Sequence, residues 1–255
     1  MNYILRFSFI VLFLSLVMLW LSVRIGVSFR KRRRSLEENE RDDFGIIMAA
    51  ILTLLGLIIG FSFSMAITRY DQRKNLEEAE ANAIGTEYVR VDFLPAADAA
   101  RVRSLLKSYL DQRILFYKTR DDRHLREIDA TTAQLETDLW SAVQTPAAAQ
   151  PTPLVTIAVT GMNDVLNSKA STLAAWWNRI PNAAWGLMAT IAICCNLLIG
   201  YGARRGPAKT MLLLVLPLIV SISFSLIADI DSPRGGIVRV QAQNLTRLSQ
   251  SLRSH

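Results

Sequence analysis

The chain has 255 residues, of which 51% are hydrophobic and 20% charged, with a formal charge of +7 and a pI near 9.7. A mean hydropathy of +0.25 in so charged a chain means apolar blocks set apart by polar sequence, which excludes an ordinary soluble enzyme. The basic excess lies beside those blocks, where lipid headgroups and membrane topology account for it, so no nucleic-acid partner is expected.

The first block is Phe7–Val23, preceded by one base, Arg6, and followed by basic residues. It lacks a small-x-small cleavage site and reads as an uncleaved anchor. Arg30–Asp43 is a charged turn. Phe44–Ile67 then runs for 24 residues without a charge. As a helix it reaches roughly 36 Å at about 1.5 Å per residue, enough to cross a hydrocarbon core of about 30 Å. No proline follows until Pro95, and Thr68–Leu94 is rich in Glu, Ala and Leu, so this helix is expected to continue well beyond the membrane, with Gly85 as a weak point. Glu77, Glu78, Glu80 and Glu87 on that extension read as a solvated face.

Ala96–Thr119 has Val102, Leu105, Leu106, Tyr109, Leu110, Ile114 and Tyr117 at three- and four-residue steps, which predicts a helix. Asp121–Val143 is a second, through Leu125, Ile128, Leu135, Leu139 and Trp140. Thr145–Pro153 holds three prolines and is expected as a loop. Thr156–Asn178 returns to helix and is expected to run through Trp176 and Trp177 into a third span, Ala183–Ala203. Gly200–Lys209 makes a hairpin to the fourth span, Met211–Ala228, where Pro217 predicts a kink. A short amphipathic tail closes the chain.

The fold class is therefore an all-α membrane protein, with four transmembrane helices in two hairpins and a helical extramembrane insert between spans two and three. The expected divisions are 1–67, 68–181, 182–230 and 231–255. The insert is near neutral, with 14 Lys/Arg against 15 Asp/Glu between Arg69 and Arg179. The short turns carry Arg30–Arg34, Arg41, Arg204, Arg205 and Lys209, which leans toward turns inside and insert outside.

Groups able to do chemistry are sparse. The histidines are His124 and His255, and no nucleophile–base set can be assembled. Cys194 and Cys195 are adjacent inside an apolar span and read as packing residues rather than a disulfide or zinc site. No enzyme activity, metal or cofactor is expected. A hydrolase using Glu77, Glu80 and Asp71 is the weakest reading. Thr53, Leu57 and Phe61 fall on one stripe of span two at four-residue steps. From the pattern alone ordinary helix packing is the favoured reading; the alternative is that copies of the chain stack them as rings around a passage gated by dewetting.

Two segments resemble the bestrophin anion channels. Gly60–Gln72 matches that family's second span: Gly-Phe, small and apolar residues, then Thr-Arg-aromatic. Asp229-Ile230-Asp231-Ser232-Pro233-Arg234-Gly235 resembles its acidic-apolar-acidic-Asn-Pro-Phe-Gly turn. Across Phe44–Val240 the chain is similar to a bacterial bestrophin-like group, through Arg-Tyr-Asp-x-Arg at 69–73 and Glu-Ala-Asn-Ala-Ile-Gly-Thr at 80–86. The resemblance implies a homo-pentamer in the bacterial inner membrane, with lipid and inorganic ions as partners and chloride ahead of cations. It places Phe61 on an aromatic neck position and Leu57 and Thr53 on rings one and two turns earlier. It puts the insert in the cytoplasm, against the charge lean, so the side stays open. Thr53 departs from the family, which has an apolar ring there. Gly236-Ile237-Val238-Arg239 lacks the acidic residues of a calcium clasp, so no calcium control is expected.

Arg69 at a pore mouth favours anions, and Asp71 lies two residues away. Asp229 and Asp231 are expected to pair with Arg69, Arg73 or Arg234, or else to be solvated at headgroup level. The rival to the channel is a non-conducting scaffold or sensor whose insert binds a partner.

Overall fold

The computed structural model describes residues 3–32, 38–203 and 207–254. The bases Arg33, Arg34, Arg204 and Arg205, used above for topology, lie outside the described residues. Among the described residues eight helices follow in order: α1 Tyr3–Arg32, α2 Glu38–Arg90, α3 Ala96–Lys118, α4 Asp122–Ala149, α5 Pro153–Trp177, α6 Asn182–Gly202, α7 Pro207–Asp231 and α8 Gln243–Arg253. One 3₁₀ turn, Val91–Phe93, joins α2 to α3, and no strand occurs among the described residues. Helices long and apolar enough to cross a membrane lie at Ser8–Arg30, within Asp42–Phe93, within Pro153–Gly202 and at Leu213–Asp231. Within Pro153–Gly202, α6 is the more apolar part.

The chain forms two compact units, residues 1–69 with 179–239, and residues 70–178 with 240–255. In the first, α1 packs along α6 and α7. Small residues let α1 and α6 approach closely. A Cβ on Gly26 would fall 2.0 Å from the Leu197 carbonyl oxygen, and one on Gly200 would fall 2.1 Å from that of Val23. Ser15 and Ser22 donate to the carbonyls of Val11 and Met18, so their hydroxyls need no partner on another helix. Arg30 Nη1 donates to the Gly202 carbonyl at 3.1 Å, placing a cation on the C-terminal end of α6.

In the second unit α3 packs on α4 and α8, and α4 on α5. Its core joins Val102, Leu106, Tyr109 and Leu110 of α3 to Leu139 and Val143 of α4 and to Ala158, Met162 and Val165 of α5. Trp176 lies against Phe116, at 4.9 Å between ring centroids, and Tyr117, at 5.5 Å. Residues 240–255, expected within a separate tail, belong to this unit, and Leu245 of α8 is buried in its core.

Three expectations need correction. Residues 145–149 are not loop: α4 continues to Ala149 with Pro146 buried inside it. Ala142, Val143 and Pro146 share the buried stripe, and Gln150 N–H closes the turn on the Pro146 carbonyl, so packing offsets the hydrogen bond that proline removes. Gly85 does not break α2, which runs on to Arg90. The helix through Trp176 and Trp177 does not flow into span three. It ends at Trp177, and α6 starts afresh at Asn182 behind Pro181. Proline disfavours helical backbone at Ile180 before it, and the Ile180 N–H turns instead to the Asp231 carboxylate, at 3.1 and 3.2 Å.

Candidate functional site

One face of α2 is buried at seven- and four-residue steps through Leu55, Ser62 and Ala66. The face bearing Thr53, Leu57 and Phe61 is turned away from it. Leu57 is 51% and Phe61 63% exposed, and Thr53 is exposed as well. Almost none of the apolar window of α2 is covered by its own chain, whereas 44% of that of α7 is. Gly56 and Gly60 face open space. The Thr53 hydroxyl donates to the Ala49 carbonyl at 2.9 Å, and Thr68 does the same to Ser64. Thr53 therefore spends its proton inside the helix.

Arg69 and the two aspartates of the α7 end lie in one unit. Arg69 Nη1 is 3.6 Å from Asp231 Oδ1, and Asp231 also accepts the Ile180 N–H. The carboxylate thus ties the end of α7 to the start of α6 and to Arg69. Asp229 takes its donors from a hydroxyl and two amides rather than from an arginine: Ser8 Oγ at 2.6 Å, and the Ile237 and Val238 N–H groups at 2.9 Å. Gly236 is required by this turn, because a Cβ there would lie 2.3 Å from the Asp229 carbonyl oxygen. Asp71 and Arg73 belong to the other unit, where Asp71 is exposed and Arg73 buried.

The acids of the α2 extension overturn the solvated-face reading. Glu77, Glu80 and Glu87 are fully or almost fully buried, and only Glu78 is exposed. The stripe that is buried in the span continues through Arg73, Glu77, Glu80, Ile84 and Glu87 without a change of phase. Extending that phase past Ile67 was the signal for these residues. Glu80 is ion-paired with Arg113 and accepts from Tyr117 Oη at 3.2 Å and Thr172 Oγ1 at 3.3 Å. Burial favours loss of the Arg113 proton, but the Glu80 carboxylate outweighs it and holds the guanidinium above its ordinary pKa. Burial, then Glu80, pushes the Tyr109 and Tyr117 phenols up. Glu77 accepts from Asn244 Nδ2 at 2.8 Å and from the Leu245 N–H at 3.0 Å, anchoring the start of α8. Neither oxygen of Glu87 has a hydrogen-bond partner. Burial, offset in part by Arg90 and reinforced by Asp164, raises its pKa to about 8.

The Glu80 oxygens are occupied, and Asp71 does not share their burial. No set of three His, Cys, Asp or Glu able to hold a metal ion occurs among the described residues.

The Bestrophin-like domain model matches residues 11–245. No curated protein matches the chain. Among solved structures, a bacterial bestrophin homologue from Klebsiella pneumoniae is similar in fold. One point variant aligns with a TM-score of 0.67 at 13% identity, covering 94% of this chain and 97% of that one. Another gives 0.64 at 14%, covering 97% and 98%. A form solved by zinc phasing gives 0.61 at 14%, covering 96% and 95%.

Proposed function

The chain belongs to the bestrophin-like family, and on that footing we propose that it is an oligomeric ion channel, a homo-pentamer with α2 of each copy lining a common passage. The observation that carries the reading is the exposed Thr53, Leu57 and Phe61 stripe on a span its own chain hardly covers. Five copies turned inward would stack three rings, with Phe61 the bulkiest, and gate flow by dewetting. Gly56 and Gly60 beside the stripe would let neighbouring helices approach.

Anions are proposed ahead of cations, following the family resemblance. Arg69 contributes part of that preference, because Asp231 shares its charge. Apolar rings select by ease of dehydration, which favours large, weakly hydrated anions. The chain is assigned to the bacterial inner membrane, and no enzymatic step is assigned.

The test is ion flux in liposomes reconstituted with the parent, Phe61→Ala and Leu57→Ala, with reversal potentials across an anion gradient. The expected result is parental flux carried by anions and altered conductance in both variants. Absence of flux in all three at confirmed reconstitution would remove the channel and leave the scaffold reading.

A further inference from the structure

A buried acid with no partner requires an explanation, because unsatisfied buried groups are rare and costly. Glu87 is one, in the second unit. Its carboxyl rests on α5 where Gly161 leaves room: a Cβ on Gly161 would lie 2.0 Å from Glu87 Oε2 and 2.8 Å from Arg90 Nη1. Any side chain at 161 would displace the carboxyl. The charged groups that act on it are Arg90 of its own helix and Asp164 of α5, which face each other at 3.7 Å. Both are partly exposed, so the pair lies on the solvent side. Asp92 of the 3₁₀ turn, which also packs on α5, is engaged by Arg103. Arg90 is thus shared with Asp164, and no cation is dedicated to a Glu87 carboxylate.

We propose that Glu87 is a proton-binding site that latches α5 against α2: the neutral acid lets the two helices close, and release of its proton to solvent parts them. When the O–H bond breaks, the electron pair stays on the carboxyl and the proton passes to water. The contact must then admit water or turn Arg90 away from Asp164. A structural acid would have kept a dedicated partner, as Glu80 keeps Arg113 and Glu77 keeps Asn244. The inference does not depend on the channel reading, because it concerns packing inside one compact unit.

The experiment is amide hydrogen exchange on the full chain in lipid nanodiscs at about pH 6 and about pH 10, corrected for intrinsic exchange. In the parent, α5 peptides covering 153–177 should lose protection by roughly tenfold or more at the higher pH. Glu87→Gln, neutral at both, should keep its protection. The proposal is overturned if the parent keeps α5 protection at both pH values, or if Glu87→Gln loses it as the parent does. Should Glu87→Gln fail to fold, the infrared spectrum of the parent decides. A carboxylic-acid carbonyl band at neutral pH that vanishes on alkalinisation supports the site, and its absence at neutral pH overturns it.

Discussion

Removing Arg113 while keeping Glu80 should be among the most damaging single changes in the second unit. Both side chains are fully buried, and the carboxylate's other neighbours are a phenol and a hydroxyl. At an effective dielectric of about 20, opposite charges about 4 Å apart attract by about 4 kcal/mol. Breaking one side of a buried pair costs about 3–5 kcal/mol, since a charge is left without compensation. Arg113→Met, which keeps much of the length, should therefore lower the thermal midpoint of the purified protein by about 10 °C, at a few degrees per kcal/mol for a chain of this size. Trp176 fluorescence can follow the loss, because its ring lies against Phe116 and Tyr117. A Trp176→Phe control separates it from the other tryptophans. Glu80→Leu combined with Arg113→Met removes both charges and should recover most of the loss. An Arg113→Met cost below about 1 kcal/mol, or a double variant as unstable as the summed singles, would refute the reasoning.

Other expectations follow from the same contacts. Gly200→Leu should destabilise the membrane unit by about 3 kcal/mol or more, because the added carbons meet the Val23 carbonyl; thermal unfolding in detergent measures it. Asp229→Ala strands two amides and the Ser8 hydroxyl, and should cost about 2–4 kcal/mol, read as increased protease cutting within 232–239. Asp231→Ala should cost more than Arg69→Ala, because it also frees the Ile180 N–H; midpoints of the two variants compare them. Glu87 titrates near 4.5 when unfolded and near 8 when folded, so the folded chain holds the extra proton between those values. Its contribution is constant below the lower value, falls with rising pH by about 1.4 kcal/mol per unit, and levels off above the upper one; Glu87→Gln should flatten that slope in a melting series.

Much of this architecture was legible in the sequence for physical reasons. Uncharged runs such as Phe44–Ile67 have one stable home, and the periodic apolar residues of α3 leave one face to bury. Punctuation was less legible. Three prolines between 145 and 153 looked like a loop, yet the ring at Pro146 is tolerated because it packs on the buried stripe. Pro181 has the reverse effect: the sequence predicts a helix running on through Trp176 and Trp177, and the helix ends at Trp177. The acids after Ile67 were hidden because charge normally marks a solvated face. Their partners, Arg113, Tyr117, Thr172 and Asn244, come from helices distant in sequence, and local periodicity holds no record of them. The stripe of Thr53, Leu57 and Phe61 was visible as a four-residue repeat, but its exposure was not, because the same repeat also marks a packed helix face.

The most direct measurement is a single-particle image of the full-length protein extracted in lipid. Copies of α2 arranged about a central axis, with Phe61 at the narrowest point and fivefold symmetry, is the result expected. Particles of one copy, or an assembly in which Thr53, Leu57 and Phe61 face acyl chains, would contradict it.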